Sequence, residues 1–464
     1  MYIQRALLVF FGMTLCCAAF AQDSDGAQPV HPARAPVGVA PGYEVIYSNL
    51  PGDPSAAVPG LPGVSFSPGS GNANFDRVYG SPTGNWVLTA FTDLPAAEDE
   101  ILLLNGTVMV REGTAATWTN DELVGALDGQ IGVNDAGSFV FSTNTDGVAS
   151  ADEYIVSGSS GGLLTAVAQE GGSADPPLSG AFWGSVLESA VIASDGAVGF
   201  ASDVTTGLPT AEDDLLVLGT TLLAQTGVTV PPGQTGSEFW EAFDLSDFWI
   251  TPDGQHYLVQ GDLGGDTAFD DVVVLDGNVI VQEGTILPGS GFVEAVDLNG
   301  IVGVHLAPSG RYLVRGNNND EADWVYSDGQ VIARTGAPIA AGAAELWSDA
   351  EYSDCFFLHV GNGNGDFVIG GVTDAATDAN AVLVYNNETV VAREGDPIDL
   401  DGNGLFDDDL FLQTFGNDDA FLADDGALFI VVNVKNGAGT GLGQAFLSLR
   451  ANDRIFRDGF DAIP

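Results

Sequence analysis

The stretch "TPDGQHYLVQGDLGGDTAFDDVVVLDGNVIVQEG" (251–284) contains three strand patterns and the turns that join them. One apolar run follows a Pro-Asp-Gly turn, and two further runs flank a two-residue Asp-Gly turn. Such turns accept the positive φ angles that match the right-handed twist of a β-hairpin. Another apolar run, "DFWIT" (247–251), precedes the first turn. The unit therefore predicts four consecutive antiparallel strands, which we call A to D.

The same unit recurs along the chain. The turn between strands A and B carries a glycine in each of seven units, at Gly84, Gly137, Gly196, Gly254, Gly310, Gly365 and Gly426. The hairpin of strands C and D recurs in "DEILLLNGTVMVREG" (99–113), "DDLLVLGTTLLAQTG" (213–227), "DWVYSDGQVIARTG" (323–336) and "NAVLVYNNETVVAREG" (380–395). Seven four-stranded units predict an all-β protein, a seven-bladed β-propeller, with an open solenoid as the alternative.

The two ends of the repeat complement each other. The last unit has apolar runs for strands A, B and C, at 420–423, 428–434 and 445–449, but none for D. The segment "YEVIYSNLPGD" (43–53) has the pattern of an isolated strand D. Pairing this N-terminal strand with the C-terminal blade closes the ring and removes two open sheet edges. We therefore predict a single β-propeller domain over residues 43–450.

Two stretches carry a resemblance to known proteins. "VNDAGSFVFS" (133–142) and "VVAREGDPIDLDGNG" (390–404) resemble the units N-x-x-G-x-V-A-F and V-A-x-x-G-D-x-x-P-G of exported bacterial tandem-repeat proteins of β-propeller type. "TPDGQHYLV" (251–259) and "APSGRYLV" (307–314) are similar to the Pro-Asp-Gly repeats of other bacterial propellers. The resemblance covers about residues 43–450. It implies a fold and export from the cell, and no assigned biochemical activity.

The N-terminus has the pattern of a targeting sequence. Residues 1–21, "MYIQRALLVFFGMTLCCAAFA", contain one arginine, an apolar core and a small-x-small end, which predicts a secretory signal peptide. Residues 22–42 are rich in Ala, Pro and Gly and are typical of a flexible leader. No later apolar run approaches the roughly 20 residues of a membrane-spanning helix. The protein is therefore expected to be periplasmic, extracellular or at the cell surface, without membrane insertion.

A C-terminal tail, residues 451–464, falls outside the repeat. Its sequence "RIFRDGFDAIP" (454–464) is similar to short I-F-x-D-G-F endings of other exported Gram-negative proteins. Two interpretations remain open for it. It is either a sorting or docking peptide or a final strand packed on the outside of the domain.

The composition is strongly acidic. The chain has 64 Asp and Glu against 12 Lys and Arg, a net charge of −52 that becomes −53 when Arg5 leaves with the signal peptide. Such a surface repels phosphate backbones and anionic lipids, which argues against nucleic acid and membrane surfaces as partners. Cations, an extracellular glycan or a protein remain as partners. The alternative is that the charge serves solubility or tolerance of salt.

The acids concentrate in the connections between strands B and C. Examples are "TNTDGVASADE" (143–153), "SDVTTGLPTAEDD" (202–214) and "GDLGGDTAFDD" (261–271). In an up-and-down blade, these loops share one face of the disc with the linkers that run from strand D to the next strand A. The A-to-B and C-to-D turns, which are tight, occupy the other face. The sequence therefore predicts one acidic loop face.

One linker carries a candidate calcium site. "DLDGNGLFDDD" (399–409) follows the sixth unit and matches the start of a calcium loop, D-x-[DN]-x-[DN]-G. Leu410 stands where such loops have a bidentate glutamate, so that Asp408 or Asp409 would have to substitute from a shifted geometry. The predicted calcium ligands are Asp399, Asp401, Asn403, the carbonyl of Leu405, Asp407 and Asp409. A solvated linker without metal is the alternative.

No catalytic residue emerges from the sequence. Acid pairs precede strand C repeatedly, at Asp99/Glu100, Asp152/Glu153, Asp213/Asp214 and Asp270/Asp271, and we interpret them as structural residues where strands begin. His305 and His359 fall on predicted inner strands, where one interpretation is a channel-lining pair and the other is packed or surface histidines. Cys355, the one cysteine left after the signal peptide, has no partner for an internal disulfide. The H-E-x-x-H, Walker and C-x-x-C motifs are absent.

Three functions remain in view. The first is a secreted or cell-surface binding or scaffold module that uses its acidic loop face with bound calcium. The second is an extracellular polysaccharide hydrolase or lyase that uses carboxylates of the propeller face. The third is a surface protein without a small ligand. Propellers host many functions, so the fold does not choose among them.

Overall fold

The chain was analysed as a computed structural model that describes residues 42–67, 74–127, 129–205, 208–234, 238–318, 322–348 and 355–450. For residues 246 and 417–419 it describes the backbone alone. The predicted signal peptide (1–21), the leader (22–42) except its last residue, and the tail (451–464) lie outside these ranges. The described residues form 28 β-strands, a single 3-10 helix at Pro54–Ala56 and no α-helix.

The strands form seven four-stranded antiparallel sheets, as predicted. Strand β1 spans Glu44–Ser48 and belongs to the last blade. Six blades follow the chain in the order A, B, C, D. Blade 1 consists of β2 (Phe75–Gly80), β3 (Trp86–Phe91), β4 (Glu100–Leu104) and β5 (Thr107–Arg111). Blade 2 consists of β6 (Ile131–Val133), β7 (Ser138–Asn144), β8 (Glu153–Ser159) and β9 (Leu164–Gln169). Blade 3 consists of β10 (Trp183–Ile192), β11 (Val198–Val204), β12 (Asp214–Leu218) and β13 (Thr221–Gln225).

The second half of the chain repeats this arrangement. Blade 4 consists of β14 (Trp240–Ile250), β15 (Tyr257–Leu263), β16 (Asp271–Leu275) and β17 (Asn278–Gln282). Blade 5 consists of β18 (Val296–Leu306), β19 (Tyr312–Asn318), β20 (Ala322–Ser327) and β21 (Gln330–Arg334). Blade 6 consists of β22 (Phe356–Gly361), β23 (Phe367–Val372), β24 (Ala381–Tyr385) and β25 (Thr389–Arg393). Blade 7 consists of β26 (Phe411–Leu422), β27 (Ala427–Lys435), β28 (Gly441–Arg450) and β1.

Burial explains why the middle strands read as continuous apolar runs. All five residues of β4 are buried, because a blade packs against a neighbouring blade on each of its faces. The outermost strand, as in β5, keeps exposed and half-buried positions. The innermost strands contact one another in sequence around the ring, from β2 through β6, β10, β14, β18 and β22 to β26, which contacts β2 again. The seven sheets therefore surround a common axis.

The ring closes by the predicted pairing of the chain ends. Strand β1 pairs antiparallel with β28, with Glu44 opposite Ser448 and Ser48 opposite Ala445. Blade 7 then packs on blade 1, where the rings of Trp86 and Phe446 lie 5.2 Å apart, centroid to centroid, in an edge-to-face contact. The closed ring leaves neither β1 nor β28 as an open edge.

Tight turns connect neighbouring blades on the face that carries the A-to-B and C-to-D turns, which we call the turn face. The side-chain amide of Asn134 in blade 2 donates to the carbonyl of Ala193 in blade 3, at 2.9 Å. The backbone N–H of Asp424 in blade 7 donates to the carbonyl of Pro82 in blade 1, at 2.8 Å. The turns thus link successive blades as well as strands. In the part of the chain that the structure describes, no helix is long and apolar enough to cross a bilayer.

Candidate functional site

The B-to-C loops and D-to-A linkers lie together on the opposite face, which we call the loop face. Each linker meets the B-to-C loop of the blade that follows it. The bridge between Val124 and Thr145 makes this contact for blade 2, and the bridge between Trp347 and Thr373 makes it for blade 6. Backbone hydrogen bonding therefore joins loops and linkers into one surface.

The linkers share a hairpin. In each of six linkers, the N–H of a glycine donates to a carbonyl farther along, from Gly113 to Val124 in the first and from Gly395 to Leu412 in the sixth. The other four linkers close in the same way, at Gly171–Trp183, Gly227–Trp240, Gly284–Val296 and Gly336–Trp347. The sixth is the longest. The acidic stretch 399–409 is its tip, so the candidate calcium loop is an insertion into a hairpin that recurs in the linkers of this chain.

The tip folds around two aspartates. The backbone N–H of Asn403 donates to carboxylate oxygens of Asp399 at 3.2 Å and Asp401 at 3.1 Å. The N–H of Gly404 donates to Asp399 at 2.7 Å, and Gly404 has the positive φ of 82° that allows the sharp turn. Both carboxylates are therefore oriented by the backbone of the loop.

Three carboxylates converge at this tip. Asp399, Asp401 and Asp408 each place an oxygen within 4.8 Å of the others. The backbone N–H of Leu400 donates to a carboxylate oxygen of Asp408 at 2.7 Å, which joins the two ends of the loop. Oxygen-only ligands on a turn suit a hard cation such as Ca²⁺. Within the described residues this is the one group of three or more acidic, histidine or cysteine side chains with that spacing.

The other predicted ligands occupy different positions. Asp409 has a φ of 51°, and its carboxylate accepts from the N–H of Gly437 at 2.8 Å, which fastens the sixth linker to the B-to-C loop of blade 7. Asp407 is exposed and does not belong to the group of three. The side chain of Asn403 bonds within the loop, to Asp401 and to the N–H of Leu405. The structure thus gathers Asp408, rather than Asp407 or Asp409, with Asp399 and Asp401.

The acid pairs that precede strand C are partly buried on the loop face. Burial, with a smaller contribution from the carboxylates of Asp262 and Glu283, raises the pKa of Asp271 to about 7. Both oxygens of Asp271 accept from the side-chain amide of Gln260. In blade 3, burial and then Asp213 and Asp203 raise the pKa of Asp214 to about 6. Burial is thus the main cause of the raised pKa of both acids.

A second set of acids lies at the loop face and was not predicted from the sequence. The residue after strand D donates its N–H to the first residues of strand C in six blades, at positions 112, 170, 226, 283, 335 and 394. It is glutamate in blades 1, 2, 4 and 6. The signal was present as the recurring Glu-Gly that ends the C–D hairpin. The position of each glutamate could not be predicted without the strand register, which places it beside the acids before strand C.

The channel opens on the turn face as a cavity of about 100 Å³. Tyr79, Trp249, His305 and Phe421 belong to its lining, and among its described lining residues Asp135 is the one carboxylate. The ring centroids of Trp249 and His305 lie 4.7 Å apart, and those of His305 and His359 lie 6.4 Å apart. Both histidines are buried on inner strands, as predicted, with exposed fractions of 9% and 2%. The channel is thus filled by rings rather than lined by acid pairs.

Comparison with known proteins gives no family. No protein-family model matches the chain. A search of curated proteins likewise found no match. The resemblance of the repeat units to exported propellers therefore stays a prediction.

Solved structures give distant similarities. The Dos1 propeller is 9% identical, with 80% of this chain and 76% of that one covered and a TM-score of 0.36. The WD40 β-propeller domain of Doa1 is 12% identical, with 89% and 99% covered and a TM-score of 0.32. Prolyl oligopeptidase B from Galerina marginata is 11% identical at a TM-score of 0.34, with 78% of this chain covered and only 47% of that protein's length. At these values the similarity adds nothing to the fold assignment, which rests on the strand pairing.

Proposed function

We propose that the protein is an exported propeller that acts as a binding or scaffold module through its loop face, with Ca²⁺ bound at the tip of the sixth linker. The observation that carries the proposal is the convergence of Asp399, Asp401 and Asp408 in an insertion that the other linkers lack. Three like charges so close repel one another, and a bound dication offsets that repulsion. Export rests on the sequence of residues 1–21.

The composition of the loop face suits a macromolecular partner. Large apolar side chains are exposed in its loops and linkers beside the acids, at Val148, Phe182, Phe269, Ile286, Val293 and Leu405. Exposed apolar groups provide area that a partner would bury, and the carboxylates beside them would pair with its positive charges. An extracellular glycan or protein that carries positive charge, or that shares the calcium, is the partner class that this chemistry favours.

A polysaccharide hydrolase or lyase has less support. Such chemistry needs two carboxylates at a fixed separation in a cleft that holds the sugar. The channel cavity lies on the turn face, away from the loop-face acids, and Asp135 is the sole carboxylate among its described lining residues. The acid pairs of the loop face repeat from blade to blade instead of forming one distinct pair.

A thermal melt tests the calcium site. The mature protein is compared in EDTA and in about 2 mM Ca²⁺, because extracellular calcium modules have affinities near millimolar. Ligand binding to the folded state alone adds RT ln(1 + [L]/Kd), so Ca²⁺ should raise the midpoint. The Asp399→Ala/Asp401→Ala variant should lose this part of the response.

Two further variants distinguish the candidate ligand Asp408 from Asp409, whose carboxylate joins the linker to blade 7. Asp408→Asn should reduce the rise of the melting midpoint on adding calcium. Asp409→Gly should leave the calcium affinity unchanged and only lower the midpoint in EDTA. Glycine is chosen at 409 because it adopts the positive φ of that position without strain. Equal calcium responses in the wild type and in the Asp399→Ala/Asp401→Ala variant would mean that the stretch is a solvated linker.

A further inference from the structure

Glu283 is a buried carboxylate in blade 4. It follows strand β17, and only 1% of its surface is exposed. One carboxylate oxygen accepts from the N–H of Asn299 at 2.9 Å. The other, Oε1, is buried and accepts no hydrogen bond from a donor among the described residues. A buried carboxylate oxygen without a partner carries a large desolvation cost, so it calls for a ligand or a proton.

The nearest titratable group is another acid. The carboxyl groups of Glu283 and Asp270 lie within hydrogen-bonding reach of each other. Burial, followed by this neighbour, raises the pKa of Glu283 above its ordinary value. No lysine or arginine in the described ranges forms an ion pair with either carboxylate. With both groups ionised, the pair carries a charge of −2 at one place.

Blade 6 provides the internal comparison. Glu394 occupies the position of Glu283, because each donates its N–H to the first residue of strand C, Ala381 or Asp271. The position of Asp270 is Asn380 in blade 6. There the ammonium group of Lys435 lies 2.8 Å from Glu394. Blade 6 thus pairs one carboxylate with one cationic side chain, while blade 4 has two carboxylates and no such side chain.

We propose that Glu283 and Asp270 bind a divalent cation, with Ca²⁺ favoured by their oxygen-only chemistry. The same two positions hold Asp99 and Glu112 in blade 1 and Asp152 and Glu170 in blade 2, but those glutamates are only partly buried, and the proposal is made for blade 4. The ion replaces the lysine of blade 6 and neutralises both carboxylates at once. This site is separate from the tip of the sixth linker and does not depend on it.

Equilibrium dialysis against radioactive calcium alone tests the proposal. The mature Asp399→Ala/Asp401→Ala variant serves as the background, so that the tip of the sixth linker does not contribute. The background variant should still bind calcium, and adding Glu283→Gln should reduce the bound calcium by one ion per chain. Asp270→Asn, which copies blade 6, should weaken binding at that site by about tenfold or more. An unchanged number and affinity of bound ions in both variants would overturn the proposal.

A matched control and a second readout guard against misfolding. The Lys435→Met/Glu394→Gln variant removes the equivalent charged pair in blade 6 and should leave the bound calcium unchanged. In EDTA, Glu283→Gln should melt at or above the temperature of its background, because it relieves the repulsion between the two carboxylates. A melting midpoint of the background that is the same in EDTA and in millimolar Ca²⁺ would show that the pair shares a proton instead, and the proposal would then be wrong.

Discussion

The ammonium nitrogen of Lys435 lies 2.8 Å from Oε1 of Glu394, and this ion pair fastens blade 7 to the linker that leaves blade 6. Lys435 is the last residue of β27 and the only lysine of the chain. The two side chains are 15% and 12% exposed, so the pair is largely shielded from water. A scarce cationic side chain is therefore used in a structural contact between blades.

Lys435→Met should destabilise the protein. The substitution keeps the length of the side chain but leaves the Glu394 carboxylate buried without its partner. Breaking a largely buried pair from one side costs about 2–4 kcal/mol, somewhat less than for a fully buried one. Chemical denaturation at pH 7 measures the loss. The double variant Lys435→Met/Glu394→Gln should recover most of it, and a single variant as stable as the wild type would contradict the expectation.

Deleting residues 43–53 should lower the melting temperature sharply. The deletion removes β1 from the edge of β28 and with it the buried side chains of Tyr43 and Leu50. A buried side chain of that size contributes roughly 1.5–3 kcal/mol, and the exposed edge of β28 adds a tendency to aggregate. Calorimetry provides the midpoint, with a variant lacking residues 22–41 as the control. Identical melts of the two truncated proteins would disprove closure by β1.

Stability should increase as the pH falls from 8 to 5. The pKa values of Asp271 and Asp214 are raised to about 7 and about 6 in the folded state. An unfolded aspartate titrates near 3.9, so between these values the folded state binds more protons than the unfolded one. Their stabilising protonation is complete below the unfolded pKa and is lost as the pH rises through the folded values. Urea unfolding in EDTA at pH 5, 6.5 and 8 measures the trend.

Asp271→Asn is the control for this pH dependence. It should raise the stability at pH 8 and reduce the difference between pH 8 and pH 5, because a neutral group now occupies the buried position all the time. Hydrogen bonding between Asp276 and His256 raises the pKa of that histidine, which acts in the same direction. A stability that falls between pH 8 and pH 5 would refute the assignment.

Gly80→Ala should disturb the channel. A methyl group at position 80 would overlap the ring of Phe421, which is stacked on Phe429 with 4.6 Å between centroids. Overpacking of this kind costs about 1–3 kcal/mol. Gly161→Ala is the matched control, since a methyl group there meets its nearest atom at 3.7 Å. Adding Phe421→Leu to Gly80→Ala should restore part of the lost stability, and urea denaturation of all four proteins provides the comparison.

The repeat made the fold readable from the sequence. Turn glycines such as Gly254 and Gly426 mark strand boundaries, since few other residues adopt their positive φ. Seven such turns predict seven blades. A strand D pattern at the N-terminal end of the repeat and its lack at the C-terminal end predict a closed ring. The prediction of seven four-stranded blades closed by β1 is confirmed.

The residues of the candidate sites were harder to predict from the sequence, because their positions depend on strand register and loop conformation. Asp408 and Asp409 are adjacent in the sequence, and the positive φ of Asp409 turns its carboxylate to Gly437 instead of the cluster. Likewise, Asp270 and Glu283 are separated by a hairpin, and only the pairing of β16 with β17 brings them together. Linear spacing predicts ligands within one loop but does not predict those contributed by neighbouring strands.

Closure by β1 also has a consequence for the order of events during synthesis. Glu44 pairs with Ser448, so the first strand has to wait for almost the whole chain before its partner exists. Until then the nascent chain cannot complete its disc, and closing so long a loop is slow. The last blade, and with it the closed ring, therefore cannot form before the C-terminal strands have been made.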